Sequence, residues 1–319
     1  MSATGSRAPD DRVAGGATGS VTGSATGSAT GSAARATPPS PEKLSLNTAT
    51  VARQWNLRQM IEACARHGFG GISPWRDKLA ELGVDEAARL IRDNGLAVTG
   101  LCRGGMFPAA DAAGRQAALD DNRRAVDDAA TLGAHCLVLV VGGLVPGSRD
   151  LAGARQMVLD GIAALLEHAR ACRMPLAIEP LHPMYCADRA CVNTIDQALD
   201  ICDAVEPRAP GERPSGAIGL AVDAYHVWWD PNLARAIARI GRERLLAYHI
   251  CDWLVPTKDL LNDRGMMGDG VIDLPALRAM VEGQGYAGLH EVEIFSYHWW
   301  QQDPDLVMRT IKQRHQACT

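Results

Sequence analysis

Positive charge is not in excess in this 319-residue sequence: 32 Lys and Arg stand against 37 Asp and Glu, a net of −5. Binding a phosphate backbone would work against that field, so no nucleic-acid partner is expected. No apolar run approaches the roughly 20 residues of a membrane-spanning helix, so no membrane partner is expected either. The nine cysteines are odd in number, lack Cys-x-x-Cys spacing and fall mostly within predicted strands and helices. That usage describes reduced thiols serving as small apolar residues in a cytoplasmic protein, with no cysteine-bound metal expected. Missing too is a G-x-G-x-x-G turn after the first strand, which weighs against a doubly wound dinucleotide-binding sheet.

What is present is a 47% hydrophobic chain, enough to bury a large core, behind an unusual start. Residues 1–42 repeat Ala/Val-Thr-Gly-Ser and finish in PPSPE without an aromatic residue, so they read as a disordered low-complexity leader. They lack the cationic and apolar regions of a secretory signal, consistent with a cytoplasmic location. Residues 43–319 are left for one catalytic domain, a length that suits a (β/α)8 TIM barrel of roughly 250 residues.

The pattern from residue 45 onward supports that fold. Short apolar runs at 45–52, 71–75, 97–103, 136–142, 175–181, 217–224, 245–251 and 289–295 alternate with helical periodicity at 57–67, 85–94, 113–132, 152–172, 194–205, 232–240, 273–283 and 304–316. Gly68, Gly95, Gly133, Gly241 and Gly285 stand where left-handed residues would end helices, and Asp273 with Pro275 reads as a helix start. Eight strands close a barrel.

In such a barrel the chemistry sits where strands end. Strands five to eight lead directly into Glu179, Asp223, His249 and Glu293. One charge buried at the end of an apolar strand costs several kcal/mol unless it is paired or bound to a cation, and each carboxylate alone could pair with an arginine. Four on consecutive strands converge. Three carboxylates and one imidazole form a mixed O/N set for one divalent ion, Mn²⁺ first, with Mg²⁺, Co²⁺ or Zn²⁺ as alternatives. Glu291 shares the strand face of Glu293 but lies deeper.

Residues 45–315 resemble the sugar phosphate isomerase/epimerase family of xylose-isomerase-like barrels. The resemblance rests on Ile178-Glu179-Pro180, Asp223-Ala-Tyr-His226, His249-Ile-Cys-Asp252, Gly268-Asp-Gly-Val-Ile-Asp273 and Val292-Glu293-Ile-Phe295. It implies one metal on Glu179, Asp223, His249 and Glu293, with the two glutamates moving protons. Two departures bear on activity. Leu181 stands where xylose isomerases carry a lysine, and Tyr185 where ketose 3-epimerases show a second glutamate.

From first principles, a metal chelating a carbonyl and the adjacent hydroxyl acidifies the neighbouring C–H and stabilises the enediolate, while a carboxylate on each face removes and returns the proton. The catalytic set expected is therefore Glu179 and Glu293, with His182 as a further base, a substrate contact or a loop residue. Substrate contacts are expected from His182, from His226, whose alternative is a supporting hydrogen bond, and from Arg103, whose alternative is a surface ion pair. Asp252 could orient a histidine, and the tryptophans at strand ends, Trp75 and Trp253 among them, could stack on a sugar or cyclitol or else build a lid or subunit interface. Lys258, Arg264 and the GMMGDG turn offer a weak phosphate signal.

The substrate expected is a small carbohydrate or cyclitol, isomerised or epimerised by a protein that forms homo-oligomers as related barrels often do. The alternatives are a dehydratase or lyase acting on an inosose or 3-keto-glycoside, and a non-catalytic metal- or sugar-binding protein.

Overall fold

The structure, a computed structural model, describes residues 38–209 and 211–319. Most of the leader therefore lies outside the described residues. The strands are β1 (Leu44–Asn47), β2 (Gly71–Ser73), β3 (Ala97–Val98), β4 (Leu101–Gly105), β5 (Leu137–Val140), β6 (Leu176–Ile178), β7 (Ile218–Asp223), β8 (Leu245–Ile250), a short hairpin of β9 (Asp252–Trp253) and β10 (Arg264–Gly265), and β11 (His290–Val292). Nine of them form one parallel sheet in the order β3-β2-β1-β11-β8-β7-β6-β5-β4, with the hairpin apart.

The third expected strand, 97–103, is divided at Thr99-Gly100. Before the break it pairs with β2, and after it with β5. Backbone bonds span both sides there: Thr99 N donates to Ile72 O at 3.1 Å, Cys102 N to Pro74 O at 2.9 Å and Leu101 N to Cys136 O at 3.1 Å. The two ends of the strand order thus belong to one strand position, and the sheet closes as a barrel of eight positions.

Around the barrel run α1 (Leu57–His67), α2 (Arg76–Leu82), α3 (Val84–Asp93), α4 (Ala112–Leu132), α5 (Leu151–Ala171), α6 (Ile195–Val205), α7 (Ala224–Val227), α8 (Leu233–Arg244), α9 (Leu274–Gly283) and α10 (Pro304–Cys318). Capping fixes their ends. Asn56 and Gln59 form a capping box on α1, Gly68 closes it in the left-handed conformation, and Asp273 accepts from Ala276 N at the start of α9. The seven-residue α2 and four-residue α7 were not visible in the periodicity, being too short to show a repeat.

Two separate apolar clusters explain the layering. The larger joins Leu, Ile and Val of the strands to the helices, while a smaller one of Cys102, Cys136, Val138, Ala177, Ala221, Leu246 and Ala247 fills the barrel interior. Small interior side chains leave room for polar ones near the mouth. No helix of the described residues is long and apolar enough to cross a membrane.

One glycine at the mouth is demanded by packing. Gly105 ends β4 at φ 107°, and a Cβ there would sit 1.9 Å from Val140 O. Gly105→Ala is expected to cost about 3 kcal/mol or more in thermal unfolding, combining backbone strain with a backbone clash. An unchanged Tm would contradict this reading of the β4–β5 contact.

Candidate active site

Each of the four strand-end groups arrives where its strand terminates. Asp223 is the last residue of β7 and His249 lies near the end of β8, while Glu179 and Glu293 directly follow β6 and β11. All four are buried, and one ligand atom from each lies within 4.8 Å of all the others. Parallel strands with side chains alternating across the sheet bring this about: ionisable groups at the same height on neighbouring strands must meet.

His249 Nδ1 stands 3.0 Å from Glu179 Oε1 and 4.0 Å from Glu293 Oε2, while its Nε2 faces Glu291 Oε1 at 3.5 Å. With carboxylates on both sides the ring holds a proton at each nitrogen, Nδ1–H donating to Glu179 and Nε2–H facing Glu291; loss of the Nδ1 proton would turn that lone pair toward a cation in the cluster while Glu291 keeps the Nε2 proton in place. Glu291 is thus a support: it accepts from Asn47 Nδ2 at 2.7 Å and Thr99 Oγ1 at 2.8 Å, and Thr99 bonds Ser45 in turn at 2.8 Å. Asn47 also donates to Glu293 Oε1 at 2.9 Å and accepts from Trp75 Nε1 at 2.8 Å. A hydrogen-bonded floor of Ser45, Asn47, Thr99 and Glu291 therefore fixes the cluster from below.

Arg264 has a role its sequence position did not disclose. Placed by the β9–β10 hairpin and only 4% exposed, it donates from Nη1 to Asp223 Oδ2 at 2.9 Å and Glu293 Oε2 at 3.1 Å. Its guanidinium also lies over the Tyr225 ring, 4.5 Å from the centroid. It is a buried partner of the cluster, and the phosphate-loop reading of this residue gives way to that.

Electrostatics follow from burial and these neighbours. Burial would raise Asp223, but Arg264 and His249 hold its carboxyl below the usual carboxylate range. Burial and the Glu179 and Asp223 charges push Glu293 up against the pull of Arg264. For His249, burial alone would lower the pKa, yet Glu291, Glu179 and Glu293 carry it upward. Three carboxylates facing one guanidinium and one imidazole form a set short of positive charge, and its oxygens and Nδ1 suit a divalent cation.

His226 is buried beside the cluster, its pKa pushed down to about 3 by burial, so the ring is neutral. The His182 N–H faces its Nδ1 at 3.3 Å and Arg264 Nη2 faces its Nε2 at 3.1 Å. A neutral ring accepts at one nitrogen only, so just one of these contacts is a hydrogen bond at a time. His182 is half-buried, accepts from Met184 N through Nδ1 at 3.2 Å and stacks on Trp253 at 4.9 Å. Burial lowers its pKa as well.

The cavity above the cluster is walled by Trp75, Arg103, Glu179, Tyr185, Arg189, His226, Arg264, Glu293 and Phe295. Trp253 is behind this wall, packed on Tyr225 at 4.6 Å and on His182. Arg103 is half-buried and, among the described residues, no ion pair or side-chain hydrogen bond holds it; burial and nearby Arg189 lower its pKa. The surface ion pair considered for it is absent among the described residues. Tyr185, Arg189 and Phe295 were missed as wall residues, because their approach to the pocket depends on loop paths that periodicity does not encode.

Asp252 also departs from expectation. Its Oδ1 accepts from Trp253 N and Ile272 N, and its Oδ2 from Gly268 N and Gly270 N, at 2.8 to 3.0 Å. It organises the 266–272 turn and orients no histidine, because backbone donors already occupy both oxygens. Asp252→Ala is expected to cost about 1–3 kcal/mol by orphaning these N–H groups. Hydrogen exchange at 268–272 should accelerate, and unchanged protection would contradict the role.

Fold and cluster together define a (β/α)8 barrel with a buried group of three carboxylates and one imidazole at its mouth, donor types that suit a divalent cation. A family model described as the xylose isomerase-like TIM barrel matches residues 61–313, and the chain belongs to that family. A protein of Sinorhizobium meliloti 1021 of known crystal structure is 57% identical, covering 88% of this chain and 99% of its own, with a TM-score of 0.83. Inosose isomerase of Bacillus velezensis (strain DSM 23117 / BGSC 10A6 / LMG 26770 / FZB42) is 25% identical over 286 residues, 86% of this chain and 96% of its own length. The crystal structure of the IolI protein with a bound zinc atom aligns with a TM-score of 0.72 at 22% identity, over 85% of this chain and 95% of its own, which shows the shared fold.

Proposed function

We propose that the chain is a divalent-metal-dependent isomerase or epimerase of a sugar, keto-sugar or cyclitol, working by proton transfer at a carbon beside a carbonyl. The observation that carries this reading is the buried meeting of Glu179, Asp223, His249 and Glu293 at the mouth, with both glutamates also lining the cavity. The inosose isomerase relative supports the substrate class.

A cation held by these four side chains supplies Lewis acidity toward a carbonyl oxygen and its neighbouring hydroxyl when bound. The chain supplies the rest. Glu179 removes the carbon-bound proton, the electron pair passes into an enediolate, and Glu293 returns a proton to give the isomer or epimer. Arg264 contributes fixed positive charge where the oxyanion develops, and His226 faces substrate hydroxyls. Trp75, Phe295 and Tyr185 cover the C–H faces and limit water, while Arg103 and Arg189, which line the same cavity, bind substrate oxygens.

Proton NMR in D₂O with manganese- or magnesium-loaded protein tests this against free ketoses, inososes and 3-keto-glycosides. Deuterium at a single carbon without net breakdown is expected. Loss of water or cleavage would replace the reading with a lyase using His182 as the added base, and silence across the panel would favour a binding protein.

A further inference from the structure

A second cluster of metal-type donors lies outside the barrel mouth. His168 and Cys172 sit one turn apart near the end of α5, and Asp127 faces them from α4. Spacing of i and i+4 puts imidazole and thiol on one helix face, and α4 packs directly on α5. His168 Nε2 is 2.8 Å from Asp127 Oδ1, Cys172 Sγ is 3.6 Å from the same oxygen, and Cys172 Sγ is 3.8 Å from His168 Nε2. The end of α5 leads into the start of β6, so this cluster lies at the end of the barrel away from the strand C-termini.

We propose that Asp127, His168 and Cys172 form a second cation site, for zinc or a similar borderline dication, that staples α4 to α5. Distances support it. Zinc bonds of roughly 2.3 Å to sulfur and 2.0–2.1 Å to nitrogen or oxygen at tetrahedral angles place N and O about 3.3 Å apart and S about 3.5 Å from each. The observed separations of 2.8, 3.6 and 3.8 Å differ from that triangle by about 0.5 Å at most, within reach of a side-chain rotation. Asp127 and His168 side chains are 57% and 33% exposed, which leaves a face open for a water ligand.

The donor set selects the ion. Thiolate and imidazole favour zinc or cobalt over magnesium and manganese, whereas the thiolate-free mouth accepts the harder ions. Burial and the Asp127 charge raise the Cys172 pKa, so the thiol keeps its proton without metal. On binding, the S–H bond breaks, a metal–sulfur bond forms and the proton passes to solvent. The cysteine composition gave no expectation of such a site, because its third ligand comes from a different helix.

Cobalt(II) added to the chelator-treated full-length protein reads this site through a thiolate–cobalt charge-transfer band in the near ultraviolet, since none of the four mouth ligands is a thiol and Cys172→Ser separates a band here from one at any other cysteine. The wild type should show the band, and Cys172→Ser should lose it with unchanged far-ultraviolet circular dichroism. His168→Gln should weaken it. Zinc should raise the Tm of the wild type more than that of Cys172→Ser. A silent wild type would overturn the proposal, as would a band that survives Cys172→Ser. Proton exchange at the mouth is measured separately, so either outcome leaves the proposed activity to its own test.

Discussion

Glu179→Gln is expected to lower substrate C–H exchange by roughly 10²–10⁴-fold while leaving a folded protein that still binds manganese. The substitution preserves shape and one carbonyl oxygen, and with it a contact for His249 Nδ1, which stands 3.0 Å from Oε1 in the wild type. What it removes is the ability to accept a proton. Deuterium incorporation measured by NMR, alongside manganese titration of the same preparation, separates the two roles. Full exchange in the variant would remove Glu179 from the proton path, and loss of both properties together would make it a ligand without a demonstrated proton-transfer role.

Arg264→Met should produce the largest stability effect at the site. Its guanidinium is the one arginine within 3.1 Å of both Asp223 and Glu293 among the described residues, and both carboxylates are nearly inaccessible to water. Removing one partner of such a buried network strands charge, at about 3–5 kcal/mol. In the metal-free protein that is a fall in Tm of roughly 10 °C for a domain of this size. Manganese should recover part of the loss, because a cation at 100 times its Kd adds about 2.7 kcal/mol to the folded state. A metal-free variant as stable as the wild type would show that Arg264 does not compensate the carboxylates. The methionine stem keeps most of the packing against Tyr225, so the comparison isolates charge.

The metal-type cluster was readable because each member ends an apolar run, and a parallel barrel converts equal height on adjacent strands into proximity. The helix limits followed from their glycines and caps, as at Gly68 and Asp273. Tertiary structure decided what was missed. Strand 97–103 changes partners midway because it closes the barrel, which a two-residue alternation cannot reveal. Arg264 reaches Asp223, 41 positions earlier in the chain, through a hairpin whose return path has no sequence signature. Asp252 binds backbone N–H groups, which every residue but proline carries, so its partners left no mark in composition. Trp253 does stand beyond a strand end as expected, yet Tyr225 and His182 occupy its faces.

The measurement that bears most directly on the central claim is manganese titration of the chelator-treated protein, with proton exchange followed in the same samples. Manganese is chosen because it discriminates against the thiolate of the α4–α5 cluster. The account predicts that one equivalent binds, that exchange appears in step with it, and that Asp223→Asn weakens both together. Exchange at full rate in excess chelator would contradict it, as would manganese bound equally tightly by Asp223→Asn.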